Sequence, residues 1–179
     1  GEGFMMACQD KNMHILGKKI TLLGAGGAAT AIDMQAGLDG VAEISIFNRD
    51  DDFFVRAEEN AARLNEKTQC KAKAFRLEDT ETLRREIANS AMLVNATSCG
   101  FGCQFNESPI PDATFLRKHL MVADVIYSPA ETHLLAMAKA VGCPCMNGIG
   151  MMLYQGAAAF KMWTGKNMPI EAVKKALSE

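Results

Sequence analysis

Six consecutive residues carry the clearest chemistry in this chain: Gly24-Ala25-Gly26-Gly27-Ala28-Ala29 satisfies the pattern G-x-G-x-x-G/A. Each position has a mechanical role. The first glycine permits a sharp turn, the second leaves room for backbone to approach a pyrophosphate, and a small last residue lets the following helix pack closely on its strand. The helix N-terminus then offers unpaired N–H groups and the positive end of its dipole to phosphate oxygens. Glycine turns also occur without any ligand, so the weight lies in context. This one follows the apolar run Lys19-Ile20-Thr21-Leu22-Leu23 and precedes a second strand that ends, about 20 residues on, in Asn48-Arg49-Asp50-Asp51-Asp52. At that edge a carboxylate accepts hydrogen bonds from ribose hydroxyls, whereas a 2′-phosphate needs cationic donors. Three aspartates favour NAD over NADP, with Arg49 alone able to pair with a phosphate or stack on adenine. An acidic N-cap on the next helix is the ligand-free alternative.

Such a turn works only if regular elements hold it. Apolar and β-branched runs at 19–23, 43–48, 71–75, 91–95, 120–127 and 144–146 read as strands, the last a short edge strand. Helices fall at 28–38, from the Asp50-Asp51-Asp52 cap to 65, and at 79–88, 131–140 and 150–163, with Pro169 in the first turn of a last helix ending near Leu177. Residues 97–111 form an irregular loop beyond a strand's carboxyl end, and 1–16 a lead-in segment. This alternation predicts a doubly wound, Rossmann-like α/β fold, a mostly parallel sheet with helices on both faces. No repeat or linker divides the chain, so 1–179 reads as one dinucleotide-binding domain closed by helices over 150–179.

Composition narrows the function classes. The 179 residues, 49% hydrophobic and 22% charged, suffice for one core and exclude a disordered or fibrous chain. With 19 Lys+Arg against 21 Asp+Glu and no basic run, nucleic acid is not the expected partner. No apolar stretch approaches the roughly 18 residues of a membrane span and no secretory leader opens the chain, so a soluble cytoplasmic protein is expected. Cys8, Cys70, Cys99, Cys103, Cys143 and Cys145 lack zinc or C-x-x-C spacing, and His14, His119 and His133 lie apart, so no metal site is expected. The cysteines read as reduced small hydrophobes and the 12 methionines as core fillers.

Several separated stretches together resemble the shikimate and quinate dehydrogenase family over nearly the whole chain. Gly24-Ala25-Gly26-Gly27-Ala28 is similar to its cofactor turn, Phe47-Asn48-Arg49 to its ribose-side motif, and Asn95-Ala96-Thr97-Ser98 with Gly100 to its Asn-Ala-Thr-x-x-Gly loop. Asp124-Val125-Ile126-Tyr127 with Pro129 resembles its strand-end tyrosine motif. Gly148-Ile149-Gly150-Met151-Met152-Leu153-Tyr154-Gln155, Phe160 and Trp163-Thr164-Gly165 resemble its closing signature. The acidic residues after Arg49 and the ending Trp163-Thr164-Gly165-Lys166 are more similar to the dual shikimate/quinate branch, which can use NAD.

What the resemblance implies is reversible hydride transfer between nicotinamide C4 and a ring hydroxyl carbon of shikimate or quinate. Gly24 to Ala29 would hold the pyrophosphate, and Asn48, Arg49, Asp50 and Asp51 the adenosine ribose. Thr97, Ser98, Val125, Ile126, Tyr127, Ser128, Gly148 and Met151 would line the nicotinamide side, with Gln155 and Tyr127 on the substrate. Tyr127 could equally be a core tyrosine with one buried hydrogen bond, and Gln155 a helix-surface residue. Relatives carry an N-terminal substrate domain with the catalytic Lys and Asp, and Gly1-Glu2-Gly3 looks like the end of its Asn-Thr-Asp-Gly-x-Gly stretch. The chain is therefore expected to lack catalytic residues of its own and to turn over little alone. A dehydrogenase-like sensing module is the alternative of another class, and dehydrogenases acting on folates or glutamyl-tRNA are a third. The oligomer stays open, a homodimer included.

Overall fold

A computed structural model describes residues 1–178. Six parallel strands, β1 (Lys19–Leu23), β2 (Glu43–Asn48), β3 (Lys71–Arg76), β4 (Met92–Asn95), β5 (Met121–Asp124) and β6 (Cys145–Met146), form one sheet in the order β3-β2-β1-β4-β5-β6. The crossovers reverse direction between β1 and β4, and a doubly wound sheet opens its crevice at the carboxyl ends of two such strands.

The helices are α1 (Glu2–Asp10), α2 (Gly27–Asp39), α3 (Phe54–Lys67), α4 (Thr80–Ala88), α5 (His133–Val141), α6 (Gly148–Thr164) and α7 (Ile170–Ser178). The predicted α/β architecture stands, with a wholly parallel sheet. Side-chain alternation along each strand feeds two cores. Ile20, Leu22, Ile44, Ile46 and Val94 pack with Ile32 and Ala36 of α2, Ala57 and Leu64 of α3, and Phe4 and Ala7 of α1. Leu23, Phe47, Leu93 and Val122 pack on the other face with Leu83 and Ile87 of α4 and Leu134 and Leu135 of α5.

Four expectations need correction. The lead-in segment contains α1, whose Phe4, Ala7 and Cys8 lie on one buried face against α6. β5 stops at Asp124 because the Asp124 carboxylate accepts the Ile126 N–H at 3.0 Å and bends the chain. Pro169 precedes α7 rather than entering it, its carbonyl accepting the Val173 N–H. Nor are all cysteines and methionines core residues: Cys103, Met6, Met152 and Met162 are exposed. Residue 179 lies outside the described residues.

At the amino ends of the strands a polar network is closed on itself. Lys19 pairs with Glu43 and with Glu86 of α4 (2.6 Å), and Ser45 donates to Glu86 at 2.7 Å. Burial would raise the Glu86 pKa, but these hydrogen bonds outweigh it and hold it below the usual value. At the outer edge, Asn65 of α3 occupies the free side of β3, donating to the Ala72 carbonyl and accepting the Ala72 N–H, both at 2.9 Å.

Candidate functional site

The site is built first by backbone. The Gly24 N–H donates to the Phe47 carbonyl at 2.6 Å, drawing the turn after β1 over the end of β2. Gly24 has φ +105°, and a Cβ there would stand 2.8 Å from the Ala96 oxygen, so only glycine lets β1 and β4 approach this closely. Gly26 is the opposite case. Nothing lies within 4 Å of a Cβ built on it, and it caps α2 without a side-chain acceptor. The first-turn N–H groups of α2 thus face open approach, which fits the anion-binding role read from the sequence. Ala29 is fully buried, where a larger side chain would push α2 off the sheet.

A cleft of about 540 Å³ opens at this switch point and brings together Gly24, Ala25, Gly26, Asn48, Arg49, Asp51, Thr97 and Ser98. The remaining wall comes from residues that sequence reading did not assign, among them Phe53 and Arg56 of the β2–α3 turn and α3, Leu77, Gln104 and Glu107. The Arg56 guanidinium lies 4.7 Å from the Phe53 ring centroid, a cation–π pair on the rim. The signal that could reveal Arg56 is its place in the first turn of α3, seven residues after Arg49. Gly27 opens instead onto a neighbouring depression of about 450 Å³ between α2 and α3, shared with Arg56, Asn60 and Arg63.

The aspartate run divides into different roles. Asp50 does not face the cleft: it is held at 2.9 Å by Arg76, and its N–H donates to the Glu78 carboxylate. Asp51 lines the cleft, pairs with Arg49 at 3.5 Å and accepts the Phe53 N–H. The helix that follows is capped by Phe53 with no side-chain bond, so the expected acidic cap does not form.

On the other side of the switch point, two adjacent strand ends carry buried polar residues. Asn95 lies in register with Asp124 and donates to it at 3.1 Å and to the Cys99 carbonyl at 3.0 Å, while its oxygen accepts from both Thr97 N–H and Thr97 Oγ. Asp124 also accepts from Thr132 Oγ at 2.7 Å. Burial keeps the Asp124 pKa above its ordinary value despite these donors. Both residues belong to the strand-end motifs at 95–100 and 124–129, and their burial is the signal that they fix loops rather than touch a ligand.

The other expected site residues lie beyond the cleft lining. Ile126 is buried, while Tyr127 is 50% exposed, which removes the core-tyrosine alternative. Ser128 is exposed and Val125 half-buried. Gly148 opens α6 with its N–H on the Ile126 carbonyl (2.9 Å), and a Cβ there would lie 1.9 Å from the Val125 oxygen. Met151 is half-buried and Gln155 exposed on α6, its backbone against Gly3 of α1. No described helix is long and apolar enough to cross a membrane, and no group of three or more His, Cys, Asp or Glu among the described residues could hold a metal ion.

Comparison with known proteins agrees with this geometry. Residues 148–177 match the family model for the shikimate 5′-dehydrogenase C-terminal domain. A curated shikimate dehydrogenase (NADP(+)) of Listeria monocytogenes is 51% identical over 177 residues, covering 99% of this chain and 61% of that protein. The crystal structure of a shikimate 5-dehydrogenase from Listeria monocytogenes in complex with shikimate and NAD superposes with a TM-score of 0.95 at 51% identity, over 98% of this chain and 61% of that one. A quinate dehydrogenase from Corynebacterium glutamicum in complex with NAD gives 0.85 at 26% identity, over 99% and 61%. The chain thus spans 61% of the length of the curated relative. The resemblance to the shikimate and quinate dehydrogenases is shown.

Proposed function

We propose that these residues form the nicotinamide-dinucleotide-binding part of a shikimate or quinate dehydrogenase. The observation that carries this reading is the cleft at the β1/β4 switch point, with the uncapped α2 N-terminus on one wall and Asn48, Arg49 and Asp51 on the other. Gly24 to Ala29 hold the pyrophosphate against the α2 N–H groups. Asn48 and Asp51 accept from the adenosine ribose hydroxyls, and NAD is the preferred cofactor because Asp51 repels a 2′-phosphate and already occupies Arg49. Asp50 enters this reading only through Arg76, as the partner that keeps that cation from the rim.

Thr97, Ser98, Val125, Ile126, Ser128, Gly148 and Met151 line the nicotinamide side, and Tyr127 and Gln155 supply hydrogen bonds to the substrate. A bound nicotinamide supplies the hydride acceptor at C4. Oxidation of a ring alcohol beside it would also release the O–H proton, which needs a base. No residue of this chain is assigned as that base. A positioned base typically contributes 10²–10⁴-fold.

Calorimetric titration with NAD and with NADP at fixed ionic strength tests the cofactor reading. Tighter binding of NAD is expected; tighter binding of NADP overturns the role given to Asp51. Turnover of shikimate or quinate by the protein carrying this chain supports the dehydrogenase, whereas tight nucleotide binding with no turnover of either favours a sensing module.

A further inference from the structure

Behind the phosphate turn lies a polar cluster that the cleft does not use. Asp33, in the second turn of α2, is fully buried. Asn60, facing it from α3, donates one amide hydrogen to Asp33 Oδ2 at 3.0 Å and the other to Thr30 Oγ1 at 2.8 Å. Thr30 closes the first turn of α2, its N–H donating to the Gly26 carbonyl, and shares with Asn60 the wall of the depression beside the glycine turn. Asp33 Oδ1 has no hydrogen-bond partner among the described residues.

A carboxylate placed this way is costly to ionise. Burial pushes the Asp33 carboxyl up to about 7, against the opposing pull of the Met34 N–H, the Asn60 amide and the Arg63 charge. Arg63, the charge that opposes the shift, comes from α3. The Cys70 thiol, between α3 and β3, is itself raised to about 11 by burial, with Glu43 of β2 and Asp33 adding to the shift. At 1.5 Å rise per residue, Asp33 sits roughly 9 Å behind the Gly27 N–H along the axis of α2. A negative charge at that point opposes the attraction of the helix N-terminus for an anion.

We propose that Asp33, with Asn60 and Thr30, is a positioning group for the anion-binding end of α2, and that loss of its one proton weakens dinucleotide binding. This rests on the dinucleotide reading above. A phosphate charge one hydrogen bond beyond that N–H stands about 12 Å from Asp33, and at an effective dielectric near 20 this corresponds to about a tenfold change in affinity. By linkage, nucleotide binding raises the affinity of Asp33 for its proton, so binding near neutrality takes up a fraction of a proton from the buffer.

The test is calorimetric titration of the protein carrying this chain with NAD between pH 6 and pH 8.5, in two buffers of different ionisation enthalpy. NAD is the probe because its phosphates do not titrate in this range, whereas a 2′-phosphate monoester does so near pH 6. The expected result is an affinity falling about tenfold with pH and proton uptake on binding, both absent in Asp33→Asn, which keeps the shape and an acceptor for Asn60. Asp33→Ala serves the same purpose if the amide variant does not fold. NAD binding with a flat profile, or an unchanged slope in the neutral variant, overturns the positioning role alone. No binding of NAD or NADP at any pH overturns the dinucleotide reading, and the positioning role with it.

Discussion

The two ends of the sheet treat buried polar groups in opposite ways. At the amino ends, Lys19, Glu43, Ser45 and Glu86 bond one another, with Thr21 and Ser90 joined at 2.8 Å beside them. At the carboxyl ends, Asn95 and Asp124 direct hydrogen bonds at loop backbone, and Gly26 leaves the first N–H groups of α2 without a side-chain cap. The first arrangement serves the fold and needs nothing more. The second fixes loops while leaving donors unmatched, which is what an anionic ligand requires of its receptor.

The largest break in this contrast is expected from a single methyl group. Gly148→Ala puts a Cβ 1.9 Å from the Val125 oxygen and should cost more than about 4 kcal/mol or abolish folding. Gly17→Ala at the amino end, where φ is +70° but nothing lies within 4 Å, should cost only about 1 kcal/mol. Thermal melts of the two variants read the difference.

Asp33 gives the next effect, and its sign is opposite. A folded pKa near 7, above an unfolded value near 3.9, means that the folded state holds the proton more tightly. The resulting contribution to stability is full below about pH 4 and is lost as pH rises to about 7, a change of up to about 4 kcal/mol. Asp33→Asn should therefore be more stable than its parent at pH 8 and should lose that advantage toward pH 4, as followed by urea unfolding across pH.

Glu86→Ala and Asn95→Ala sharpen the comparison directly. Each removes a buried hydrogen-bonding hub and should cost about 2 kcal/mol. Only Asn95→Ala should also weaken NAD binding, by about tenfold, because Thr97 then loses its anchor at the cleft. Equal effects of the two on affinity would erase the distinction between the ends. The smallest change is expected from Arg49→Ala: freeing Asp51 should move the NAD-to-NADP affinity ratio a few-fold toward NAD in paired titrations.

How much of this was legible in sequence follows from where each contact comes from. The glycine turn and the Asn48-Arg49 edge belong to one β-α-β unit, so their order along the chain implied their proximity. Phe53, Arg56, Leu77 and Glu107 reach the same cleft from separate elements, and only the folded crevice brings them to it. Phe4, Ala7 and Cys8 have helical spacing, but α1 lacks a side-chain cap and its burial depends on α6 far along the chain, so the local sequence does not mark it as a helix. The end of β5 was misplaced because apolar residues continue to Ile126, while the buried Asp124 carboxylate, not hydrophobicity, ends the strand.

The Asn65 side chain on the outer edge of β3 bears on how the molecule behaves in a crowd. By bonding both backbone groups of Ala72, it withdraws a donor and an acceptor that another extended chain would otherwise recruit. Exposed Lys71, Lys73 and Arg76 flank it with like charge, and the opposite edge, β6, is only two residues long. One amide thus blunts the longer of the two routes by which this sheet could grow from molecule to molecule, so resistance to strand-by-strand aggregation at high concentration rests on a residue remote from any chemistry.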